Sequence, residues 1–250
     1  MVAVAIGTVL LYAVFTGVTG IRVLMLAART RQLPESLLGC SYLIGGMLGW
    51  SLLLVSGALL VGRSELHLLM NILQGAGSFC LNFGIMTTSL FAWRVFSPRS
   101  RLIAVGFFAQ QAVLLADFVH NGLLMHLAIP PATDPWFYPG MFARDLTYVW
   151  LPIVALRYWN MLRKRLPLGL SDPVAANRVL LWGLTGVVTF AYCVVAGITA
   201  YLDLWITHGE ALFLCTGVMN SVGALLGWLA FVPPASYVRW VEARAPKVLD

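Results

Sequence analysis

Seven apolar stretches dominate the chain, and most polar residues fall in the short segments between them. The stretches cover residues 3–27, 37–61, 66–93, 102–128, 139–160, 175–202 and 209–232. A helix needs about 20 apolar residues to cross the hydrocarbon core of a bilayer, and each stretch reaches that length. The pattern therefore predicts an all-α protein, a seven-transmembrane helix bundle over residues 1–232 followed by a short tail over residues 233–250.

The basic side chains predict how this bundle is oriented. Of the 16 Lys and Arg residues, 14 fall at one end of the stretches, and only Arg63 and Arg144 lie towards the other end. Because basic loops resist translocation, we expect the basic end to be cytoplasmic, with the N-terminus outside and the C-terminus inside. After Pro233 and Pro234, Tyr237 and Trp240 predict a short interfacial helix in the cytoplasmic tail.

Composition narrows the class of protein further. Hydrophobic residues make up 60% of the chain and charged residues 10%, and the loops are too short for a soluble catalytic or nucleic-acid-binding domain. The loops are short, and the outer loops contain no pair of cysteines that could form a disulfide. These features are typical of a bacterial cytoplasmic (inner) membrane protein. The basic end predicts contact with an anionic inner leaflet or with a cytoplasmic protein partner. We expect no nucleic-acid partner, and enzymatic activity is not favoured.

The third stretch carries a regular row of polar residues. They recur at steps of four, three, four and four, which places them on one face of a helix: His67, Asn71, Gln74, Ser78 and Asn82. Polar side chains are costly in hydrocarbon, so this row should face the interior of the bundle. A hydrogen-bonded seam between helices and the wall of a wet cavity are both compatible with the pattern.

A second polar face occurs on the fourth stretch, with Gln110, Asp117, His120 and Asn121. Asp117 is an acid well inside a span, and its candidate partners are His120 and Arg144 of the fifth stretch. An intramembrane carboxylate is by default a functional hypothesis. The Asp117–Arg144 pair could be structural, or Arg144 could provide the counter-charge of an anionic or zwitterionic ligand while His120 titrates.

The two polar faces together predict an outward-facing cavity that takes a small ligand or protons. The function expected is that of a sensor-like or receptor-like binding protein. The residues predicted to line its ligand-binding cavity are Asn71, Gln74, Asn82, Asp117, His120, Asn121, Arg144, Asp145 and Tyr148.

The histidines leave open a metal- or haem-binding oxidoreductase subunit as an alternative. All four lie towards the outer side and are candidate metal ligands: His67, His120, His126 and His208. The sequence lacks the H-x-x-x-H and H-E-x-x-H spacings that place two ligands on one helical face. A retinal Schiff base is excluded, because Lys164 and Lys247 both lie in cytoplasmic segments and the seventh span has no lysine. No cofactor is predicted.

A sequence echo supports a third possibility, a facilitative or proton-coupled transporter of small solutes. Arg29-Thr-Arg-Gln-Leu-Pro34 precedes the second span and Arg163-Lys-Arg-Leu-Pro167 precedes the sixth, which predicts a 3+1+3 repeat of parallel halves. In length, orientation and this repeat, the chain is similar in outline to sugar facilitators of the SWEET type. That similarity implies a central site near Asn82, Asn220, Trp50 and Trp182, although the first span lacks the proline on which such facilitators hinge.

Glycine spacing predicts where helices approach each other closely. Gly45 and Gly49 form a small-xxx-small pair in the second span, and Gly84 lies in the third. Helices in lipid associate through close backbone approach, so these small residues are expected to mark contact faces.

Overall fold

The computed structural model describes residues 2–60, 67–123, 134–202 and 204–245, and within these residues it is helical without strands. The all-α prediction is therefore confirmed for this part of the chain. The helices are α1 (Val2–Thr30), α2 (Leu33–Cys40), a π-helical segment (Ser41–Gly49), α3 (Trp50–Leu60), α4 (His67–Phe96), α5 (Arg101–Leu123), α6 (Phe137–Arg165), a 3₁₀ turn (Leu166–Leu168), α7 (Pro173–Tyr201), α8 (Leu204–Phe231) and α9 (Ala235–Ala243).

Six helical segments of the described chain are long and apolar enough to cross a membrane. They lie in α1, in the run from α2 into α3, and in α4, α5, α7 and α8. Helix α6 is also long, with 29 residues, but Arg144, Asp145 and Arg157 interrupt its apolar sequence. Six such helices are compatible with a multi-pass membrane protein. The seven-span count and the orientation remain predictions from the sequence.

Six helical segments form a closed ring. Following the ring, α1 packs on the α2–α3 run, which packs on α4; α4 packs on α6, α6 on α7, α7 on α8, and α8 again on α1. Helix α5 lies outside this ring, where it contacts α4 and α6. Its outer face exposes Leu102, Phe108 and Leu115, which suits contact with lipid chains. The ring order is compatible with the 3+1+3 repeat, which remains a prediction.

Glycines bring the second and third predicted spans into backbone contact. A Cβ atom added at Gly45 would lie 2.6 Å from the Cα of Gly84, and one added at Gly49 would lie 2.8 Å from the amide nitrogen of Leu81. The small-residue contact face predicted here is confirmed. The π-helical segment runs along this contact, and π-helical turns frequently occur at functional sites.

An apolar cluster closes the centre of the ring at one end. Its buried residues are Val23, Leu38, Ala92, Leu151, Ala155 and Trp182. Trp182 stacks on Phe96 at 5.6 Å between ring centroids and meets Phe91 edge-on at 4.8 Å. This is the end at which α1, α4 and α6 finish with their basic last turns, and it is called the basic end below.

The short helix predicted after the last apolar stretch is present as α9. The Asn177 amide of α7 donates to the Tyr237 hydroxyl at 3.0 Å, and Val241 is buried, so α9 is docked on the bundle. The Arg244 guanidinium lies over the Trp240 ring at 4.4 Å. Its position at a membrane interface stays a prediction.

The glycine contact can be tested with a matched pair of substitutions. Gly45→Ala forces a methyl group against the α4 backbone, and such overpacking costs about 1–3 kcal/mol. Gly106→Ala on α5 is the control, since nothing lies within 4 Å of its added Cβ. Thermal unfolding of the purified protein should show a lower melting temperature for Gly45→Ala and an unchanged or higher one for Gly106→Ala. Equal melting temperatures would contradict the contact.

Candidate functional site

A cavity of about 250 Å³ occupies the centre of the ring. Its described wall is formed by α1, the α2–α3 run, α4, α6, α7 and α8, and includes no residue of α5. At the basic end the wall includes Leu38, Leu151 and Trp182 of the apolar cluster, so the cavity ends there. The site is therefore a pocket to which every segment of the ring contributes.

Helix α6 brings the charged groups to this cavity. Arg144, Asp145 and Tyr148 lie within one turn of the helix and all line the wall. On the neighbouring helix α7, Cys193 also lines the wall. Tyr12 of α1 adds a second tyrosine hydroxyl to that of Tyr148. The cavity thus combines a carboxylate, a guanidinium and several hydroxyl groups.

Aromatic rings form another part of the wall, centred on Trp50. Trp50 lies between Tyr12, at 6.4 Å and an interplanar angle of 79°, and Tyr192, at 5.8 Å and 66°. Both contacts have the edge-to-face geometry that aromatic pairs favour. Because Trp50 directly follows the π-helical segment, that segment positions its indole beside the cavity. The three rings belong to α1, α3 and α7 and so join both halves of the ring.

The guanidinium of Arg144 is paired on the side facing away from the cavity. Its Nη1 donates to Oδ2 of Asp117 on α5 at 2.7 Å. The Asp117 side chain is fully buried, and Gly140 of α6 leaves room for it, because an added Cβ at Gly140 would collide with Oδ1. Of the two candidate partners of Asp117, the structure pairs it with Arg144 and not with His120, and the Arg144 charge is balanced from outside the ring.

Gln110, which belongs to the polar face of α5, forms a seam with α6. The Gln110 amide donates to the Ala143 carbonyl at 2.7 Å and to the Thr147 hydroxyl at 2.6 Å. Thr147 in turn shares a 2.6 Å hydrogen bond with Ser89 of α4. These buried contacts satisfy polar groups between helices, and the seam holds α5 against the ring.

His120 belongs to a separate group beside the start of α6. Its Nε2 lies 3.7 Å from Oδ2 of Asp134, and its ring lies 5.8 Å from that of Trp136. The other oxygen of Asp134 accepts from the Trp136 amide at 2.7 Å. Nδ1 of His120 lies 3.4 Å from the amide oxygen of Asn121. This group connects α5 to the turn that leads into α6.

The predicted ligand-binding residues are placed in different parts of the bundle. Arg144, Asp145 and Tyr148 line the cavity, and Asp117 lies directly behind Arg144. His120 and Asn121 belong to the group around Asp134. The stripe on α4 does not line the cavity: Asn71 and Gln74 are half-buried, and Asn82 is buried with its side-chain oxygen lacking a hydrogen-bond partner.

The two polar faces do not meet around the cavity as expected from the sequence. The face of α5 turns to α6, and α4 presents Leu81, Gly84, Ile85 and Thr88 to the cavity instead of its polar stripe. The physical reason is the ring order: α6 inserts beside α4 and takes the place that α5 would need. The expected arrangement is corrected accordingly.

The candidate metal ligands are dispersed where the structure describes them. His67 is exposed at the start of α4, and His120 pairs with Asp134. His126 and the side chain of His208 lie outside the described residues. Within the described part of the chain, no three His, Cys, Asp or Glu side chains come together in a metal-binding group.

The sequence carries a further signal for the cavity, which lies on α7 and outside the two polar stripes. On α7, cavity-lining residues recur at steps of three, four, three and four: Trp182, Thr185, Thr189, Tyr192 and Ala196. Hydroxyl groups mark this face as clearly as amides mark the one on α4. Of the four residues placed by the facilitator outline, Trp50, Trp182 and Asn220 line the cavity and Asn82 does not.

Comparisons with known proteins add no assignment. The chain matches no family model, no curated protein and no solved structure. Its class therefore follows from its own fold: an all-helical protein whose apolar helices are compatible with an integral, multi-pass membrane protein.

The Asp117–Arg144 pair can be measured with a double-mutant cycle. Asp117→Asn leaves the half-buried Arg144 without its counter-charge, and breaking a buried pair from one side costs about 3–5 kcal/mol. Arg144→Gln leaves Asp117 unpaired in the same way. In thermal or denaturant unfolding, we expect the double variant to lose less stability than the two single variants lose in sum. Additive losses would contradict the pair, and Glu242→Gln on exposed α9 is the neutral control.

Proposed function

We propose that the chain is a seven-span membrane protein that binds a small ligand in the cavity at the centre of its ring, as a sensor or receptor does. The single observation that carries this proposal is the cavity itself, with Asp145, Arg144, Tyr148, Trp50 and Tyr192 in its wall. A concave, mostly apolar pocket with a few convergent polar groups is the default binding-site hypothesis in a protein of unknown function.

Cavity size limits the ligand. Small-molecule pockets are typically about 300–1,000 Å³, and 250 Å³ lies just below that range. The ligand we propose is therefore small, of the size of a simple metabolite. A half-buried carboxylate and guanidinium beside a cavity among mostly apolar helices are costly to maintain, which supports a functional role for the pocket.

The apolar cluster closes the cavity at the basic end, which supports binding of a ligand without its passage through the protein. Stacked Trp182 and Phe96, together with Leu38 and Leu151, fill the ring between the cavity and the basic end. With the basic end cytoplasmic, as the positive-inside rule favours, the ligand would reach the cavity from the outside. The basic loops and α9 would then contact anionic lipid or a cytoplasmic partner that receives the signal.

Transport is the second candidate, supported by the ring order. The cavity lies between α1–α4 and α6–α8, and transporter sites occur where two structural repeats meet. Passage would require the apolar cluster at the basic end to open. In proteoliposomes, swelling in iso-osmotic solutions of small solutes would reveal such passage. We expect no protein-dependent swelling, and solute-selective swelling would favour the transporter.

Access to the cavity can be tested through Cys193. In a background of Cys40→Ser, Cys80→Ser and Cys215→Ser, methyl methanethiosulfonate is expected to modify Cys193 in the folded protein, because this thiol lines the cavity. Thr189→Phe places a ring in the cavity one turn away and should slow the modification at least tenfold.

Val187→Phe is the matched control, since Val187 lies on the exposed face of the same helix. It should leave the modification rate unchanged. Mass spectrometry of the intact protein measures both rates. A Cys193 thiol that stays unmodified until the protein unfolds, or equal rates in the two phenylalanine variants, would contradict an accessible cavity.

A further inference from the structure

The charges around the cavity leave a negative excess. Arg144 is the only Lys or Arg in the described wall, and its guanidinium is bound by Asp117, which lies outside the wall. Asp145 also lines the cavity and takes part in no ion pair within 4 Å among the described residues. Counted as formal charges, Arg144, Asp117 and Asp145 together leave one negative charge, and of the two carboxylates only that of Asp145 belongs to the cavity wall.

Aromatic side chains line the same space. Trp50, Tyr12 and Tyr192 meet at steep interplanar angles, so they form a corner of rings and not a flat stack. Tyr148, three residues after Asp145, adds a fourth ring on the α6 side. An organic cation is attracted to the faces of Trp and Tyr, most strongly in a desolvated site, and aromatic cages recognise quaternary ammonium groups in this way.

An anionic ligand fits this arrangement less well. In the described part of the wall, the only cationic side chain is that of Arg144, which is already paired with Asp117 at 2.7 Å, and Asp145 beside it would repel a second negative charge. Like charges in a low-dielectric site interact strongly, so the position of Asp145 selects against anions. The hydroxyl groups of Tyr148 and Thr189 can serve a polar substituent of a cation.

From these observations we propose that the ligand of the cavity is a small organic ammonium ion, bound by the Asp145 carboxylate and the faces of Trp50, Tyr12 and Tyr192. This inference rests on the proposed binding function and specifies its ligand class. Arg144 acts as a positioning residue, held by Asp117 so that Asp145 faces the cavity alone. The ligand carries one positive charge on a compact group of a few carbon atoms.

A pair of probes with the same shape tests the charge. Choline carries a quaternary ammonium group, and 3,3-dimethylbutan-1-ol is its neutral carbon isostere. Binding to the purified full-length protein in lipid nanodiscs is measured by thermal stabilisation over a series of concentrations. We expect choline to bind at least tenfold more tightly than the isostere. Equal binding, or tighter binding of the isostere, would overturn the proposal.

Two variants assign the preference to residues. Asp145→Asn should reduce the affinity for choline about tenfold or more and leave binding of the isostere nearly unchanged, whereas Glu242→Gln should change neither. Trp50→Leu keeps an apolar side chain but removes the ring, and should weaken choline about threefold or more relative to the isostere. Should Asp145→Asn fail to fold, Trp50→Leu still decides the outcome. Retained preference in the folded variants would overturn the proposal.

Failure of this inference can be told apart from failure of the binding function. If Cys193 is modified by the neutral reagent and Thr189→Phe blocks it, the cavity is accessible, and lack of a choline preference then refutes only the ligand class. Modification by 2-aminoethyl methanethiosulfonate should also exceed that by 2-sulfonatoethyl methanethiosulfonate at least tenfold, each relative to the neutral reagent. An inverted ratio would show a cavity that prefers anions and overturn the inference.

Discussion

The ion pair between Arg144 and Asp117 determines how the centre of this molecule is organised. At 2.7 Å, with one partner fully buried, it fixes the rotation of α6 relative to α5. That rotation places Asp145 and Tyr148 on the cavity side and Thr147 in the seam with Gln110 and Ser89. A buried ion pair adds little net stability on its own, but it strongly disfavours arrangements in which either charge loses its partner.

Close backbone contact provides the second constraint. The approach of Gly45 to Gly84 lets the π-helical segment lie close against α4, and this segment ends at Gly49, directly before Trp50. On the other side of the ring, Gly186 accommodates Pro152, since an added Cβ would lie 2.9 Å from the proline Cδ. The small residues thus draw the wall together at a few points, while aromatic side chains such as Trp50 and Trp182 occupy the wider spaces between helices.

Much of the fold could be predicted from hydrophobic periodicity, because crossing a bilayer imposes both helix length and apolar composition. The long helices and α9 lie where the apolar stretches and Pro233–Pro234 place them. The candidate site was harder to predict. The Asp117–Arg144 pair could be proposed from the sequence, because two opposite charges within membrane spans are stabilised by pairing. The order of the helices in the ring could not be predicted. Both α5 and α6 contact α4. Which of the two takes the place in the ring depends on contacts between distant segments, and no pattern within a single helix encodes it.

The same dependence on contacts between distant segments explains why the aromatic residues of the cavity could not be predicted from the sequence. Tyr12, Trp50 and Tyr192 come from three segments far apart in sequence, and each alone is indistinguishable from an interfacial or packing aromatic. Their common role becomes visible only when the ring closes. The stripe on α4 shows a related limit: regular spacing indicates that residues share a face of a helix, but it does not indicate which neighbour that face contacts.

A density map of the protein in a lipid nanodisc, obtained by electron cryo-microscopy in the presence of choline, tests the central claim most directly. We expect the map to show the Arg144 guanidinium bound to the Asp117 carboxylate, and density for a compact ligand between Asp145 and the rings of Trp50 and Tyr192. A map in which Arg144 turns into the cavity to pair with Asp145, or in which side chains fill the space between the helices, would contradict it.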